Sequence, residues 1–191
     1  MNTSDPARTI ADAALAILAR RGIGAVTVRA VANAAGVSTT GIYTYFGGKA
    51  GLLDALFGEG FDDLRAFLAE TPADGAVEEL HEAMLRYREW AMTHPTHYQL
   101  MFSSRATRYQ ATDEPGRKAR ATYDDLVART TLALASAGRK SDADAVARHL
   151  WSSIHGYVML EIVGQGPANE NSEAFYREGV DRLIATHVLP Q

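Results

Sequence analysis

The segment between residues 27 and 49 constrains the fold more than any other part of the 191-residue chain. After Thr27, apolar residues recur every three or four positions, as on one face of a short helix: Val28, Val31, Ala32 and Ala35. Gly36 can adopt the left-handed conformation that ends this helix, and Ser38 can cap a second helix at about residues 39–46. Two short helices joined by a tight glycine turn predict a helix-turn-helix.

The second of these helices presents small hydroxyl and aromatic side chains rather than a broad apolar face. Ile42 and Phe46, one turn apart, are its expected core pair. The residues expected to face outward, with the capping serine before them, are Ser38, Thr39, Thr40, Tyr43, Thr44 and Tyr45. The major groove of B-DNA accepts one helix, in which threonine side chains can meet base edges or thymine methyls and a tyrosine can reach a phosphate. The sequence therefore predicts a helix that reads DNA.

Thr27 and Lys49 stand at the starts of two helices. Unpaired backbone amides and the positive end of the helix dipole favour a phosphate at such points. A hydroxyl and an ammonium group placed there would clamp the DNA backbone and supply both binding energy and register. The alternative is an ordinary three-helix module whose tyrosines merely cover the core. Such a module has no reason to expose hydroxyls and tyrosines on so short a helix between capped ends.

Charge, cysteine content and hydropathy exclude several classes of protein. Residues 1–60 hold five Lys or Arg and four Asp or Glu, a net charge of +1, so residues 61–191 carry −5 of the chain's total of −4. The absence of cysteine excludes disulfides and cysteine-ligated metal sites. The apolar residues 13–19 are followed by Arg20 and Arg21, the reverse of a signal peptide's charge order, and no stretch approaches membrane-spanning length. A cytoplasmic protein with no membrane segment is expected.

Helical periodicity continues along the rest of the chain, and no alternating strand pattern competes with it. About nine helices are expected, at residues 6–21, 28–35, 39–46, 49–71, 76–92, 95–102, 116–137, 142–163 and 172–188. The polar residues 105–115 are expected to form a loop. The predicted fold class is therefore all-α, with an N-terminal three-helix domain at residues 1–50 that carries the helix-turn-helix. A larger helical domain is expected at residues 51–191.

The helix-turn-helix segment resembles the TetR family of transcriptional regulators. Residues 27–32 read TVRAVA and residues 35–49 read AGVSTTGIYTYFGGK, and the resemblance is dense over about residues 8–60. It implies phosphate contacts at Thr27, Tyr43 and Lys49 and base reading at Thr39, Thr40, Thr44 and Tyr45. One position departs from the family pattern. Gly48 stands where a polar capping side chain is common, a loss of about a few tenths of a kcal/mol.

The helix near residues 142–163 resembles one C-terminal subclass of this family through Trp151, His155 and Gly156, a motif that is mostly architectural there. A buried stripe is expected at Val146, Leu150, Ile154, Tyr157 and Leu160. Ser153 and Gly156 are small enough to let another helix approach closely. In TetR-like proteins the last two long helices pair with those of a second copy, so a homodimer is expected. Its two-fold symmetry would match a palindromic operator.

The central helices hold candidates for a cavity that binds a small organic effector. The candidates are aromatic, methionine and histidine side chains: Met84, Trp90, Met101, Phe102, Tyr123, Trp151 and His155. Such residues at helical spacing more often fill a core than line a pocket. His155 in particular is expected to be a hydrogen-bonded core group rather than a sensor.

Metal binding and catalysis find little support in the sequence. His94 and His97 flank a proline with no carboxylate or cysteine nearby, so no metal site is expected. Ser152, Ser153 and His155 form no nucleophile elbow, so neither an enzyme nor a cofactor is expected. The prediction is a TetR-type repressor that binds a palindromic operator as a dimer and is released by a small hydrophobic effector. The alternatives are a DNA-binding protein without an effector, a non-catalytic helical small-molecule-binding protein, and a helical enzyme with a vestigial DNA module.

Overall fold

The computed structural model describes residues 5–72, 74–103, 111–166 and 171–190. Within these ranges the chain forms nine α-helices and no strand, which confirms the predicted all-α class. The helices are α1 (Pro6–Arg21), α2 (Val28–Ala35), α3 (Thr39–Phe46), α4 (Lys49–Ala69), α5 (Ala76–Thr93), α6 (Pro95–Ser103), α7 (Asp113–Ser136), α8 (Ala143–Ile162) and α9 (Ser172–His187). A 3-10 turn at Ile23–Ala25 precedes α2.

The predicted loop at residues 105–115 is wrong at its end, because α7 already begins at Asp113. The first part of that loop lies outside the described residues. The Gly116 amide donates to the Thr112 carbonyl oxygen at 3.0 Å and closes the first helical turn. Pro115 suits this turn, since amides in the first turn of a helix have no intrahelical acceptor and a proline has no amide to leave unpaired. The proline therefore lies just inside a helix rather than at the end of a loop.

The chain divides into two compact units. One comprises the described residues up to Asp62 together with Pro95–Ala119, and the other comprises Asp63–His94 and the described residues from Arg120 onward. Helices α4 and α7 contribute residues to both units. The first unit contains the whole predicted helix-turn-helix. The predicted domain boundary near residue 50 stays a prediction.

The core of the first unit holds α3 against its neighbouring helices. Its fully or almost fully buried residues come from α1, α2, α3, α4 and α6 and include Ile10, Ala14, Val31, Ile42, Leu52, Leu56 and Leu100. Helix α4 runs unbroken through Gly58 and Gly60. A side chain at Gly60 would place its Cβ 2.7 Å from the Met101 sulfur, so this glycine permits close packing of α6 on α4. The position of α3 therefore depends on these core contacts.

The buried stripe of α8, in the second unit, was predicted correctly for its first part and wrongly for the rest. The buried residues are Val146, Ala147, Leu150, Ile154 and Val158. Leu160 is 51% exposed, and the Tyr157 ring instead packs edge-on against Phe175 of α9 at 5.6 Å. Apolar residues at both i+3 and i+4 satisfy the helical period, so the packing of α9 decides which of Tyr157 and Val158 is buried.

Two polar side chains of the second unit, the partly buried Arg88 and the buried Tyr176, are paired across its helices. The Arg88 guanidinium donates to the Glu161 carboxylate at 2.8 and 2.6 Å, and this bonding raises the pKa of Arg88. The Tyr176 hydroxyl donates to the Met84 carbonyl at 2.8 Å, and burial raises the pKa of Tyr176 well above its usual value. These bonds connect α5 with α8 and α9, so the three helices form one packed body.

Candidate nucleic-acid interface

The helix-turn-helix is built from the caps and turns that the sequence predicted. The Thr27 hydroxyl oxygen accepts from the Ala30 amide at 3.1 Å at the start of α2, and the Ser38 hydroxyl accepts from the Gly41 amide at 3.2 Å at the start of α3. Gly36 ends α2 in the left-handed conformation, with φ of 67°. Both hydroxyl groups keep their own proton, so each can also donate to a phosphate oxygen.

Within the first unit, helix α3 has an exposed face of hydroxyl and aromatic side chains. The exposed residues at its start and along it are Ser38, Thr39, Thr40, Tyr43, Thr44 and Tyr45. Tyr43 and Tyr45 are 59% and 50% exposed, whereas Ile42 is fully buried beneath them. Large aromatic side chains that are this exposed leave apolar area in water, which is costly unless a partner covers it. The predicted outward orientation of these residues is confirmed, while their contact with DNA stays a prediction.

Lys49, the first residue of α4, lies close to the turn that precedes α2. Its ammonium group donates to the Ile23 carbonyl oxygen at 3.4 Å, and the side chain is half-buried. An ammonium group has three protons, so this bond leaves two for a phosphate while it holds the flexible side chain in place. A lysine side chain that is already held in place loses less conformational entropy on binding than a freely moving one does.

Gly48 has a structural role that the capping argument did not reveal. Its carbonyl oxygen accepts from the Leu52 amide at 3.1 Å, as an N-cap residue's does, but its φ is 114°, which strongly favours glycine. A Cβ at this position would also lie 3.2 Å from the Tyr43 ring. The absence of a side chain therefore lets Tyr43 lie against the turn between α3 and α4.

Replacing Gly48 with serine, the kind of capping residue common in the family, is expected to lower the free energy of unfolding by about 2 kcal/mol. The strained φ and the crowding of Tyr43 outweigh the few tenths of a kcal/mol that a cap over glycine supplies. Urea unfolding followed by circular dichroism measures this difference. Gly24→Ser is the matched control, since Gly24 has no positive φ and nothing lies within 4 Å of its Cβ position. A Gly48→Ser protein as stable as the wild type would show that the cap dominates.

The predicted effector-binding residues are divided between the two units. Met101 and Phe102 belong to the first unit, where Met101 packs against Gly60, and the other five belong to the second. Trp90 is 1% exposed and donates its indole N–H to the Asp63 carboxylate at 2.8 Å, so it is a core residue. A single site containing all seven stays a prediction.

Three of the predicted residues lie together on α7 and α8 of the second unit. The Trp151 ring packs against those of Tyr123 and His155, with centroids 5.9 and 5.7 Å away. The Tyr87 hydroxyl lies 3.4 Å from both the Trp151 indole nitrogen and His155 Nδ1. Burial lowers the pKa of His155, so its imidazole is neutral at pH 7. His155 is therefore partly exposed and within hydrogen-bonding distance of Tyr87, while its role as a core group rather than a sensor stays a prediction.

A cavity of about 90 Å³ lies within the second unit. Its walls are mostly apolar, with three charged residues among them, and its lining residues are Arg65, Leu68, Ala69, Ala83, Met84, Tyr87, Thr122, Asp125, Leu126, Arg129 and Ile154. Of the predicted ligand residues, only Met84 is among them. The other lining residues come from α4, α5, α7 and α8. Sequence reasoning missed them because they are spread over four helices and give no clear spacing pattern within any one of them. The spacing of Thr122, Asp125 and Arg129 on α7 was the one usable signal.

The charged residues of this cavity are held in ion pairs. Arg65 Nε donates to the Asp125 carboxylate at 2.8 Å, and both side chains are partly exposed. Arg129 donates to the Glu79 carboxylate through one nitrogen and to the Leu68 carbonyl oxygen at 2.9 Å through another. An exposed ion pair contributes little stability, so Arg65 and Asp125 can separate at small cost, whereas Arg129 is fixed.

Two other kinds of feature are absent from the part of the chain that the structure describes. No group of three or more histidine and carboxylate side chains there is placed to hold a metal ion. No helix among the same residues combines the length and apolar character that crossing a bilayer requires.

Comparison with known proteins identifies both halves of the chain. Residues 10–56 match the family model described as bacterial regulatory proteins, tetR family, and residues 80–183 match the one described as tetracyclin repressor-like, C-terminal domain. The matched domains and the capped helix-turn-helix define a transcriptional regulator with an N-terminal DNA-binding domain. The chain belongs to the TetR family. The subclass suggested by Trp151, His155 and Gly156 stays a prediction.

Solved structures share the fold over nearly the whole chain. A protein with unknown function from Rhodococcus sp. RHA1 superposes with a TM-score of 0.85 at 22% identity, covering 98% of this chain and 97% of that one. A bacterial regulatory protein in the tetR family from Rhodococcus RHA1 gives 0.79 at 19% identity, with 99% and 100% covered. PfmR, a TetR family transcriptional regulator from Thermus thermophilus, gives 0.74 at 18% identity, with 92% and 97% covered. At these identities the likeness shows the fold alone.

Proposed function

We propose that this TetR-family regulator is a repressor that binds a palindromic operator as a homodimer and leaves it when a small hydrophobic effector binds. The observation that carries the proposal is the exposed face of α3, where hydroxyls and two largely exposed tyrosines stand above a buried Ile42. A face of this kind fits the major groove, which offers acceptors, donors and thymine methyls. We also propose a cytoplasmic location, since the partner is DNA.

In this proposal, Ser38, Thr39, Thr40, Thr44 and Tyr45 read or approach base edges, and Tyr43 binds a phosphate. Thr27 and Lys49 bind phosphates on either side of them. The capping hydroxyl of Thr27 can donate its proton outward, and the tether from Lys49 to the Ile23 carbonyl holds the ammonium group at the start of α4. The helix dipoles of α2 and α4 add to both contacts.

The two kinds of contact are expected to respond differently to substitution. Lys49→Ala should weaken binding about ten-fold on every duplex and lower the slope of log affinity against log salt by roughly one per protomer, because a phosphate contact is lost. Thr40→Ala should instead change the preference at one base pair of each half-site by about ten-fold. Fluorescence anisotropy titrations on selected and random duplexes at several salt concentrations measure both effects.

The matched control is Lys140→Ala, which removes an exposed lysine of the second unit and should leave binding unchanged. Identical behaviour of Lys49→Ala and Thr40→Ala on all duplexes would contradict the division into phosphate and base contacts. Equal affinity of the wild type for all duplexes would contradict an operator-binding function.

A second copy of the chain is the partner proposed for the exposed apolar face of α8 and α9. Leu160, Val163 and Phe175 are 51%, 53% and 46% exposed on these helices and the turn after α8. One turn before Leu160, the position of a Cβ on Gly156 meets nothing within 4 Å. Apolar side chains beside an open glycine favour a closely approaching helix, and a two-fold pair would supply one α3 to each half-site.

The cavity of the second unit is the proposed effector site. Its volume of about 90 Å³ is smaller than the roughly 300 Å³ at which sites for drug-sized ligands begin, so a larger effector must displace side chains. Because the Arg65–Asp125 pair is exposed, separating it costs little free energy, and these side chains can be displaced from the cavity wall. Arg65, Leu68 and Ala69 belong to α4, whose first residue is Lys49, so movement of α4 would couple effector binding to DNA contact.

Coupling requires that operator DNA weaken effector binding by the same factor as effector weakens DNA binding. A thermal-shift screen of small hydrophobic metabolites supplies an effector, and calorimetry then gives its Kd with and without operator. We expect a difference of about five-fold or more. Ala69→Phe, which adds a large side chain to the cavity wall, should abolish the thermal shift, whereas Ala66→Phe, at an exposed residue of α4 that does not line the cavity, should not. Equal Kd values with and without operator would contradict release by an effector.

A further inference from the structure

Thr44 differs from the other threonines of α3 in what its hydroxyl group does. Its Oγ1 donates to the carbonyl oxygen of Thr40, one turn earlier in the same helix, at 3.0 Å. Both residues are exposed, and their spacing of four places them on one side of α3. The hydroxyl of Thr44 is therefore bonded to the backbone of its own helix on the face proposed to enter the groove.

This bond limits the chemistry that Thr44 can offer to a base. A hydroxyl has one proton, so while Oγ1 donates to Thr40 it cannot donate to a base acceptor such as guanine O6, purine N7 or thymine O4. The oxygen is also held back towards the preceding helical turn. The Cγ2 methyl takes another staggered position on the same exposed carbon and needs no bond to be broken before it makes contact.

We infer that Thr44 determines specificity as an apolar group, selecting thymine by contact between its Cγ2 methyl and the C5-methyl of the base. The inference rests on the proposed insertion of α3 into the major groove. Among the four bases, thymine alone presents a methyl group in that groove, and a small aliphatic side chain is a suitable partner for it. Burial of one such methyl changes affinity by about four-fold.

The test uses duplexes that the full-length wild-type protein selects from a random pool. Each thymine of a half-site is replaced in turn by deoxyuridine, which lacks only the C5-methyl, and Kd is measured by fluorescence anisotropy. We expect one thymine per half-site at which deoxyuridine weakens wild-type binding about four-fold. Thr44→Ser, which keeps the hydroxyl and loses the methyl, should bind both duplexes alike. Thr44→Val, which keeps the methyl and loses the hydroxyl, should retain the preference for thymine.

Three results would overturn the inference while leaving the proposed function intact. They are a wild type that no deoxyuridine affects, a Thr44→Ser protein that still prefers thymine at the sensitive position, and a Thr44→Val protein that loses the preference there. The last would show that the preference for thymine depends on the hydroxyl group and not on the methyl. If the pool yields no preferred duplex at all, the operator-binding function itself fails and the inference falls with it. Circular dichroism melts establish that both variants fold.

Discussion

Replacing Gly51 with alanine is expected to lower the free energy of unfolding of the protein by about 3 kcal/mol and to weaken DNA binding. Gly51 lies in the first turn of α4, and a Cβ there would fall 1.9 Å from the carbonyl oxygen of Phe46 and 3.0 Å from its carbonyl carbon. Phe46 is the last residue of α3, so the obstacle is backbone and cannot rotate away. To accommodate the alanine side chain, either the first turn of α4 must change its conformation or α3 must shift. Urea unfolding and anisotropy titrations on a selected duplex measure the two effects.

Gly116→Ala is the matched control for this substitution. Gly116 lies in the first turns of α7, and nothing lies within 4 Å of its Cβ position. Alanine is a better helix former than glycine, so this variant should be more stable than the wild type by up to about 1 kcal/mol. If Gly51→Ala behaved in the same way as Gly116→Ala, the turn between α3 and α4 would be able to adjust without cost, and the close approach at Phe46 would not constrain α3.

The helix-turn-helix could be predicted because its determinants are local. Thr27 and Ser38 cap helices within three residues of themselves, and Gly36 ends α2 through its own backbone conformation. Each of these interactions depends on neighbours in the sequence, so residue type and spacing were sufficient. The exposed face of α3 followed from the same reasoning, since the pair Ile42 and Phe46 was enough to orient the helix.

The features that sequence reasoning missed depend on contacts between helices. In the sequence, Gly51 looks like an ordinary helical glycine, because its close approach to Phe46 depends on how α4 packs against the end of α3. Gly48 likewise looks like a weak cap, because the sequence does not show that the Tyr43 ring lies against it. The cavity of the second unit draws residues such as Arg65 and Arg129 from separate helices. Spacing within one helix cannot indicate which residues of different helices meet, and so the effector candidates were chosen by type rather than by position.

Replacing Gly156 with leucine is expected to convert the proposed dimer to a monomer that keeps its helical content. Among the described residues, nothing lies within 4 Å of the Cβ position at Gly156, so the subunit has room for a larger side chain, and leucine favours the helix more than glycine does. The added volume lies between the exposed residues Ser152 and Leu160, where the backbone of the partner helix is proposed to approach. Operator affinity should fall about 100-fold or more, because two half-sites are no longer bound by one linked particle.

Light scattering after size exclusion gives the mass of the variant, circular dichroism gives its helical content, and anisotropy gives its affinity for the selected duplex. Gly116→Leu introduces the same side chain at another open helical glycine and should remain dimeric with wild-type affinity. A Gly156→Leu protein that stays dimeric and binds operator normally would place the dimer contact elsewhere. A loss of helical content would instead mean that the glycine serves the subunit itself.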